Sequence, residues 1–376
     1  MAPRSTITAA DRRVLLTVFA YGYVCAPQLR RLCFPQHKHG RGTRQHTKKL
    51  LDRGYLRRTR VKYPYQEGFC PIWYLTKEGA VYLAEYFNDD RYLDAFTDSP
   101  REARGEHWLA LGDAHMALDV ALQTNTSGEV AIRQWTNEWQ PVQDAQPGGP
   151  KYKLQTKLSQ QPPLSCNPDA GFLLEVTVEI AGEPATLRKV HYVEVDRGSR
   201  SSAPRTVAAQ KTPGYAVLAE RGLHKVHFPE ANYESFSILL ITSNASRLRR
   251  LAAELDERRG SHLWPLTTME DLQRFPYEEV VFDTKLQQRA LLKQVGDSNV
   301  TSSFHRRKLG CSLGEQNCSP ALPQGNKIVP WGNVFVTWPP TARYARRGLS
   351  KQGFSARGWY PRNQHSASHD SLSWCA

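Results

Sequence analysis

Two long runs of β-branched and aromatic residues, each bordered by acidic residues, constrain the fold of this chain most. The first run covers residues 170 to 178 and follows Pro168 and Asp169, and the second covers residues 190 to 195 and contains Glu194. A short turn with glycine and proline separates the runs, so they are predicted to form neighbouring strands of one sheet. Carboxylates at strand ends can hold a divalent metal ion that promotes attack on a phosphodiester.

The segments around these strands predict a continuous domain over residues 105 to 295. Apolar periodicity predicts, in order, a helix at 106 to 122, a strand at 129 to 135, the two strands above, a helix at 204 to 220, a strand at 236 to 242 and a helix at 246 to 259. Residues 140 to 163, rich in glutamine and proline, are predicted to form a loop. The order α-β-β-β-α-β-α is that of a restriction-endonuclease-like core, a mixed α and β fold.

Residues 1 to 87 are predicted to form a winged helix-turn-helix domain, followed by a polar linker at 88 to 104. Three helices are expected, the first capped near Thr8, the second beginning at Pro27 and the third covering residues 43 to 51. Two short strands joined by a hairpin and a closing helix from residue 76 follow. Three helices followed by a β-wing is the plan of this DNA-binding motif.

Charge is distributed unevenly along the chain. Residues 1 to 87 contain 16 Lys and Arg against 5 Asp and Glu, residues 88 to 300 contain 24 against 29, and residues 301 to 376 contain 10 against 2. A basic head, an acidic middle and a basic tail indicate a division of labour. The head is expected to bind the phosphates of double-stranded DNA, and the middle is expected to hold the metal ion.

The third helix and the wing supply the predicted DNA contacts. The helix offers donors for the major groove, and the wing lies against the phosphate backbone. The residues are Arg44, Gln45, Lys48 and Lys49 on the helix and Arg57, Arg58 and Arg60 on the wing. The alternative is a solvated basic face or a wing that docks a protein. The His37-Lys38-His39 triplet is expected to have no catalytic role, because its middle residue is charged and it lies between two helices.

Several classes of protein are not supported by the composition. The seven cysteines are scattered and never form a C-x-x-C pair, so neither a disulfide framework nor a zinc site is expected. No apolar run approaches the roughly 20 residues of a membrane span. The first residues lead into a helix and not into a signal sequence. The expectation is a soluble cytoplasmic protein with no membrane partner.

The chain resembles the replication-relaxation family of plasmid proteins between residues 8 and 285. The matching segments are Leu50-Leu51-Asp52-Arg53-Gly54-Tyr55-Leu56, Tyr74-Leu75-Thr76-Lys77-Glu78-Gly79, Glu106-His107, Pro168-Asp169-Ala170, Glu194-Val195-Asp196-Arg197-Gly198-Ser199, and Lys211 with Tyr215. The resemblance implies a role in plasmid replication and in relaxation of plasmid DNA. It also implies plasmid origin DNA and other plasmid replication or mobilisation proteins as partners. The chain is further similar to mobilisation relaxases that use carboxylates on this nuclease fold instead of a catalytic tyrosine.

The PD-(D/E)xK pattern of such nucleases suggests roles for individual residues. Asp169 and Glu194 would bind Mg²⁺, which needs hard oxygen ligands. The lysine of the pattern, which neutralises charge developing on the phosphate, normally stands two residues after the second acid. That position holds Asp196, so Lys211 on the following helix is expected to reach back as the third catalytic residue. Asp196 would then be a third metal ligand or a partner for Arg197 or Lys211.

Two functions remain open from the sequence. The first is a metal-dependent enzyme that nicks DNA and reads an origin through the winged helix. The second is a DNA-binding initiator or regulator that uses the nuclease fold only as a scaffold. Residues 296 to 376 show no helical or strand periodicity. They are expected to form a disordered basic arm, or to be a terminus read in a shifted frame.

Overall fold

A computed structural model describes residues 6–36, 39–62, 68–100, 102–126, 129–142, 148–180, 183–197 and 203–292 of the protein. The predictions for His37 and Lys38, for Gly198 and Ser199, and for the tail at 296–376 lie outside these residues. Within the described ranges the protein is a mixed α+β structure, with helices and a mixed sheet.

The N-terminal elements follow the order predicted from the sequence, except that an additional short strand, Val24–Cys25, lies between the first two helices. They are α1 (Ala9–Tyr21), β1 (Val24–Cys25), α2 (Ala26–Cys33), α3 (Arg41–Asp52), β2 (Leu56–Lys62), β3 (Phe69–Leu75) and α4 (Lys77–Phe87). A capping box begins α1, because Thr8 and Asp11 each accept a hydrogen bond from the backbone N–H of the other. Gly54, at a φ of +77°, allows the chain to turn after α3. The three strands form a small sheet in the order β1-β3-β2.

The remaining elements are the strands of a seven-stranded sheet, the β5–β6 hairpin and the helices packed beside them. They are α5 (Glu102–Asn125), β4 (Val130–Asn137), β5 (Thr156–Gln160), β6 (Pro163–Cys166), β7 (Ala170–Ile180), β8 (Glu183–Asp196), α6 (Pro204–Glu220), α7 (His224–His227), β9 (Ser237–Thr242), α8 (Ala245–Asp256), β10 (Leu266–Thr268), β11 (Val281–Phe282) and β12 (Gln288–Arg289). The strand order is β12-β11-β10-β9-β8-β7-β4. Among the strands of the described ranges, β9 alone pairs in parallel with both of its neighbours, so the sheet is mixed.

The large sheet separates two hydrophobic clusters, because alternate residues of a strand point to opposite faces. In β8, Val193 and Val195 belong to the cluster that includes residues of α5. Tyr192 belongs to the other cluster, which includes residues of α6 and α8. Glu194 has the same parity as Tyr192, so its side chain leaves the sheet on the face covered by α6.

The N-terminal elements share a hydrophobic cluster with the large sheet. Tyr23 stacks on Trp108 of α5 with ring centroids 4.9 Å apart and also meets Trp139 edge-on at 5.5 Å. Helix α5 also crosses close to β2 at Gly105, where a Cβ atom would lie 2.3 Å from Cγ1 of Val61. Both parts of the chain therefore contribute side chains to one core.

Several segments differ from the sequence prediction, among them β1, α7 and β10 to β12, which were not predicted. The stretch predicted as a polar linker contains a 3₁₀ helix, Asp90–Asp94, in which Tyr92 is buried. Part of the predicted loop at 140 to 163 pairs as the β5–β6 hairpin. The strand predicted at 129 to 135 continues to Asn137. None of the described helices combines the length and apolar character needed to cross a bilayer.

Candidate functional site

Three acidic residues line up where β4, β7 and β8 meet. Ala170, the first residue of β7, pairs with Asn137 of β4 on one side and with Val193 of β8 on the other. Both pairings are antiparallel, so the next residues outward are Glu138, Asp169 and Glu194. The backbone N–H of Glu138 donates to the carbonyl of Asp169 at 2.9 Å. The register of the sheet therefore places three carboxylates side by side, and we call these residues the acidic row.

Asp169 is the central member of the acidic row, and its two oxygens have different partners. Oδ2 accepts the N–H of Val195 at 2.9 Å and lies 3.5 Å from Nε2 of His107, whereas Oδ1 lies 3.4 Å from Nζ of Lys211. Burial favours the neutral acid, but the positive charges of Lys211 and His107 outweigh it and hold the pKa of Asp169 well below its usual value. Asp169 is therefore ionised at neutral pH.

Glu194 is buried between α6 and the sheet. Its Oε1 accepts the hydroxyl of Tyr215 at 2.6 Å, and its Oε2 lies 2.7 Å from Nζ of Lys211. Burial and the negative charge of Asp169 raise the pKa of Glu194 to about 8, although Lys211 and Tyr215 act in the opposite direction. The two neighbouring carboxylates thus differ strongly in their affinity for a proton, as expected of groups with different roles in one site.

Lys211 lies where the sequence predicted that a displaced lysine could reach. It occupies α6 one helical turn before Tyr215, and its Nζ also lies 3.3 Å from the carbonyl of Asn167. Burial lowers the pKa of the ammonium group, but Asp169 and Glu194 raise it by more, so the net shift is upward. One charged amine therefore bridges two carboxylates from adjacent strands.

His107 and Glu138 complete the other side of the acidic row. Nε2 of His107, on α5, lies 4.0 Å from Oε1 of Glu138. That oxygen also accepts the indole N–H of Trp108 at 2.6 Å. Burial lowers the pKa of His107, but the charges of Asp169 and Glu138 raise it by more. Glu138 was not among the predicted site residues, because the strand predicted from the sequence ends at residue 135, whereas β4 continues to Asn137.

Asp196, predicted as a metal ligand, has a partner that the sequence did not indicate. Its carboxylate forms a two-pronged ion pair with Arg247 of α8, at 2.6 and 3.0 Å, and both side chains are buried. The alternatives considered from the sequence were Arg197 and Lys211. Arg197 instead pairs with Glu106 at 3.0 Å. Asp196 therefore ties α8 to the sheet and has its charge already balanced.

A cavity of about 200 Å³ opens beside the acidic row. Its lining combines acids, cations and apolar side chains, among them His107, Asp169, Glu194, Arg197, Lys211 and Trp264. The carboxylates can bind a cation, and the lysine and arginine can bind an anion. A cavity with both kinds of group suits a ligand that carries phosphate together with a divalent metal ion.

Most of the residues predicted to contact DNA are exposed. On α3 these are Arg44, Gln45 and Lys48, and on β2 they are Arg57, Arg58 and Arg60. Lys49 differs, because its Nζ lies 2.7 Å from Oδ2 of the fully buried Asp11, whose other oxygen is 2.7 Å from His46. Burial opposes ionisation of Asp11, but these two partners lower its pKa well below the usual value. Lys49 therefore holds α3 against α1.

Comparison with known proteins places the chain in a family. The model of the replication-relaxation family matches residues 21–230. The chain belongs to the replication-relaxation family. Its membership supports a replication-related function. Searches of curated proteins and of solved structures each returned no match.

The match to the replication-relaxation family includes both regions described above. It covers α3 and β2 with their exposed cations, the acidic row, and Lys211 with Tyr215 on α6. It ends before α8, so Arg247 lies outside the matched residues. The family match therefore includes the acidic row together with the exposed cations of α3 and β2, which we call the basic surface.

Proposed function

We propose that this replication-relaxation protein binds plasmid DNA and cleaves one strand with a metal-dependent site built on the acidic row. The observation that carries the proposal is the position of Lys211, whose Nζ contacts Asp169 and Glu194 from adjacent strands at the edge of a cavity. In this reading residues 105 to 295 form a restriction-endonuclease-like domain. The protein would act in the cytoplasm, where plasmid DNA is found.

The donor atoms of the acidic row fit a divalent metal ion such as Mg²⁺. Asp169 and Glu194 both offer carboxylate oxygens to one cavity, and hard oxygen ligands suit Mg²⁺. When bound, Mg²⁺ would supply a Lewis acid and an activated water molecule. Asp196 is left out of the proposed ligands, because its charge is balanced by Arg247.

The other side chains of the site would orient the reacting groups. Tyr215 fixes one oxygen of Glu194, and the N–H of Val195 fixes one oxygen of Asp169. Lys211 would neutralise negative charge as it develops on the phosphate, because its ammonium group is already held at the site. Lys211 would thus do from α6 what the lysine of the PD-(D/E)xK pattern does from the strand.

DNA would be held by the exposed cations of α3 and β2. The order α1-α2-α3-β2-β3-α4 suits a winged helix, in which α3 enters the major groove and the β2–β3 hairpin lies along the backbone. Arg44, Gln45 and Lys48 would contact bases, since these residue types pair with base edges. Lys49 is left out of this set, because it pairs with Asp11.

One observation favours a second function, that of a non-catalytic initiator or regulator. Lys211 already contacts both acidic side chains, so the negative charge of Asp169 is compensated without a metal ion. A scaffold that only needs to fold could keep such an arrangement. The basic surface would then carry the whole function.

Incubation of the full chain with supercoiled plasmid that contains its replication origin separates the two functions. With Mg²⁺ we expect conversion to open circles, and with EDTA we expect the plasmid to remain supercoiled. A plasmid of equal size without the origin is the control for sequence recognition. Binding to the origin without open circles at any Mg²⁺ concentration would leave only the initiator function.

A further inference from the structure

The acidic row has a second side, away from Lys211, on which a nitrogen ligand meets two carboxylates. His107, Glu138 and Asp169 each present one donor atom, and these three atoms all lie within 4.8 Å of one another. The imidazole Nε2 of His107 is 3.5 Å from Asp169 and 4.0 Å from Glu138. The three residues come from α5, from the residue after β4 and from the residue before β7.

These separations are close to those of ligands that share one ion. Donors bound about 2.1 Å from a metal stand about 3 Å apart when adjacent and about 4.2 Å apart when opposite. Small side-chain rotations would therefore bring all three donors onto one cation. Glu138 is already oriented by the indole N–H of Trp108, an outer hydrogen bond of the kind that fixes metal ligands.

Asp169 keeps this second side separate from the first. Its Oδ1 faces Lys211, and its Oδ2 faces His107. A cation bound by His107 and Glu138 would therefore share Asp169 with the proposed Mg²⁺ site without displacing Lys211. Two-metal sites that act on phosphodiesters commonly share ligands in this way.

We propose that His107, Glu138 and Asp169 form a second divalent-cation site, which prefers a transition metal over Mg²⁺. An imidazole nitrogen binds first-row transition metals well and suits Mg²⁺ poorly, whereas carboxylates accept both. The inference rests on the proposed function only in that Asp169 is shared with the proposed Mg²⁺ site. Metal binding at the second site can be measured without DNA and therefore independently of nicking. Mn²⁺ is the probe of choice, since it is paramagnetic and tolerates mixed nitrogen and oxygen ligands.

The competing explanation is an ion pair, in which a protonated His107 lies between two carboxylates. It requires no metal and predicts the same distances. The two explanations differ in one respect: only the metal site brings the imidazole nitrogen into direct bonding contact with a bound ion.

Pulsed electron paramagnetic resonance of the full chain with Mn²⁺ tests the proposal. With one Mn²⁺ per protein and a large excess of Mg²⁺, we expect ¹⁴N modulation from a coordinated imidazole. His107→Ala is expected to abolish the modulation and to weaken Mn²⁺ binding at least tenfold, with Mg²⁺ binding little changed. Glu138→Gln should weaken Mn²⁺ binding to a similar extent. Glu194→Gln, on the other side of the row, should leave the modulation intact.

The spectrum of the unmodified protein is decisive even where a variant fails to fold. Absence of ¹⁴N modulation in that spectrum overturns the second site and leaves the ion pair. Modulation in a protein that never nicks origin DNA would keep the site and reject the nuclease. Nicking with Mg²⁺ by a protein without ¹⁴N modulation would do the reverse.

Discussion

The exposed cations of α3 and β2 and the acidic row use charge in opposite ways. Arg44, Lys48 and Arg58 project into solvent, so their fields extend to an approaching partner. Asp169 and Glu194 are buried, and each is held by at least two neighbours at fixed distances. Substitution on the surface should therefore change affinity in small steps. Substitution in the row should change chemistry or folding in large ones.

The largest expected effect is the loss of nicking in Asp169→Asn. The side chain keeps its shape but loses the charge that Lys211 and a metal ion require, so the nicking rate should fall by at least about a hundredfold. Origin binding in a gel-shift assay should stay within about threefold, because α3 and β2 are untouched. Glu230→Gln, an exposed acid, is the matched control. Parent-like nicking by Asp169→Asn would show that the site is misassigned.

A large loss of stability is expected when the buried pair of Asp196 and Arg247 is broken. Asp196→Ala leaves a buried guanidinium without its carboxylate, which should lower the free energy of unfolding by about 3–5 kcal/mol in urea titrations. The double variant Asp196→Leu/Arg247→Met should recover most of this loss, because no buried charge remains. If Asp196→Ala were fully stable but bound Mg²⁺ poorly, Asp196 would be a metal ligand after all.

A moderate effect of pH on stability follows from Glu194. Because its pKa is raised from 4.5 to about 8, the metal-free folded protein retains a proton that the unfolded chain releases. The contribution of Glu194 to stability should therefore fall as pH rises from about 5 to about 8, by up to about 1.4 kcal/mol per unit. Thermal unfolding in EDTA across this range measures the slope. Glu194→Gln should remove this contribution, so the difference in slope between the parent and the variant isolates it. The slope that remains combines His107, whose raised pKa acts in the same direction, with His115, His191 and His227, whose lowered pKa values act in the opposite direction.

The affinity for Mg²⁺, measured across the same pH range, gives a second test of the raised pKa of Glu194. Occupation of the site would require Glu194 to lose its proton, so the apparent affinity for Mg²⁺ should rise with pH up to about 8. If the affinity for Mg²⁺ did not depend on pH, Glu194 would not be a ligand of the metal ion.

The smallest effects are expected on the basic surface. Arg44→Ala should weaken origin binding by about 1–3 kcal/mol if the side chain contacts a base. Arg58→Ala should weaken binding to all DNA sequences and lower the salt slope by about one. Neither change should alter the free energy of unfolding by more than about 0.5 kcal/mol. Arg249→Ala, an exposed cation on α8, is the control. Unchanged binding in both Arg44→Ala and Arg58→Ala would show that DNA binds elsewhere on the protein.

Much of the acidic row could be predicted from the sequence, because its members mark the ends of strongly patterned strands. Asp169 and Glu194 border runs whose composition alone indicates strands. Lys211 and Tyr215 could be assigned to one helix face by their spacing. Glu138 could not be predicted, since the polar end of β4 gives no clear boundary and its neighbour is set by the register of β7.

The partners that hold side chains in place were harder to predict. Asp196 and Arg247 meet only after β8, β9 and α8 have packed, and nothing local in the sequence links them. The inward turn of Lys49 likewise depends on Asp11, which the sequence identifies only as a helix cap. The sequence therefore indicated which charged residues lie near the candidate site and on the basic surface. It did not indicate which of these charges are neutralised by a buried partner.

The aromatic contact of Tyr23 with Trp108 and Trp139 has a consequence for the position at which DNA would be cut. A recognition element on a flexible tether would allow cleavage at many distances from the bound sequence. Here Tyr23, the residue before β1, packs its ring on Trp108 of α5, and α5 also carries His107 beside the acidic row. If the proposed function holds, the distance between the recognition helix and the cleavage site is fixed. The nick should then fall at a constant number of base pairs from the sequence that α3 contacts.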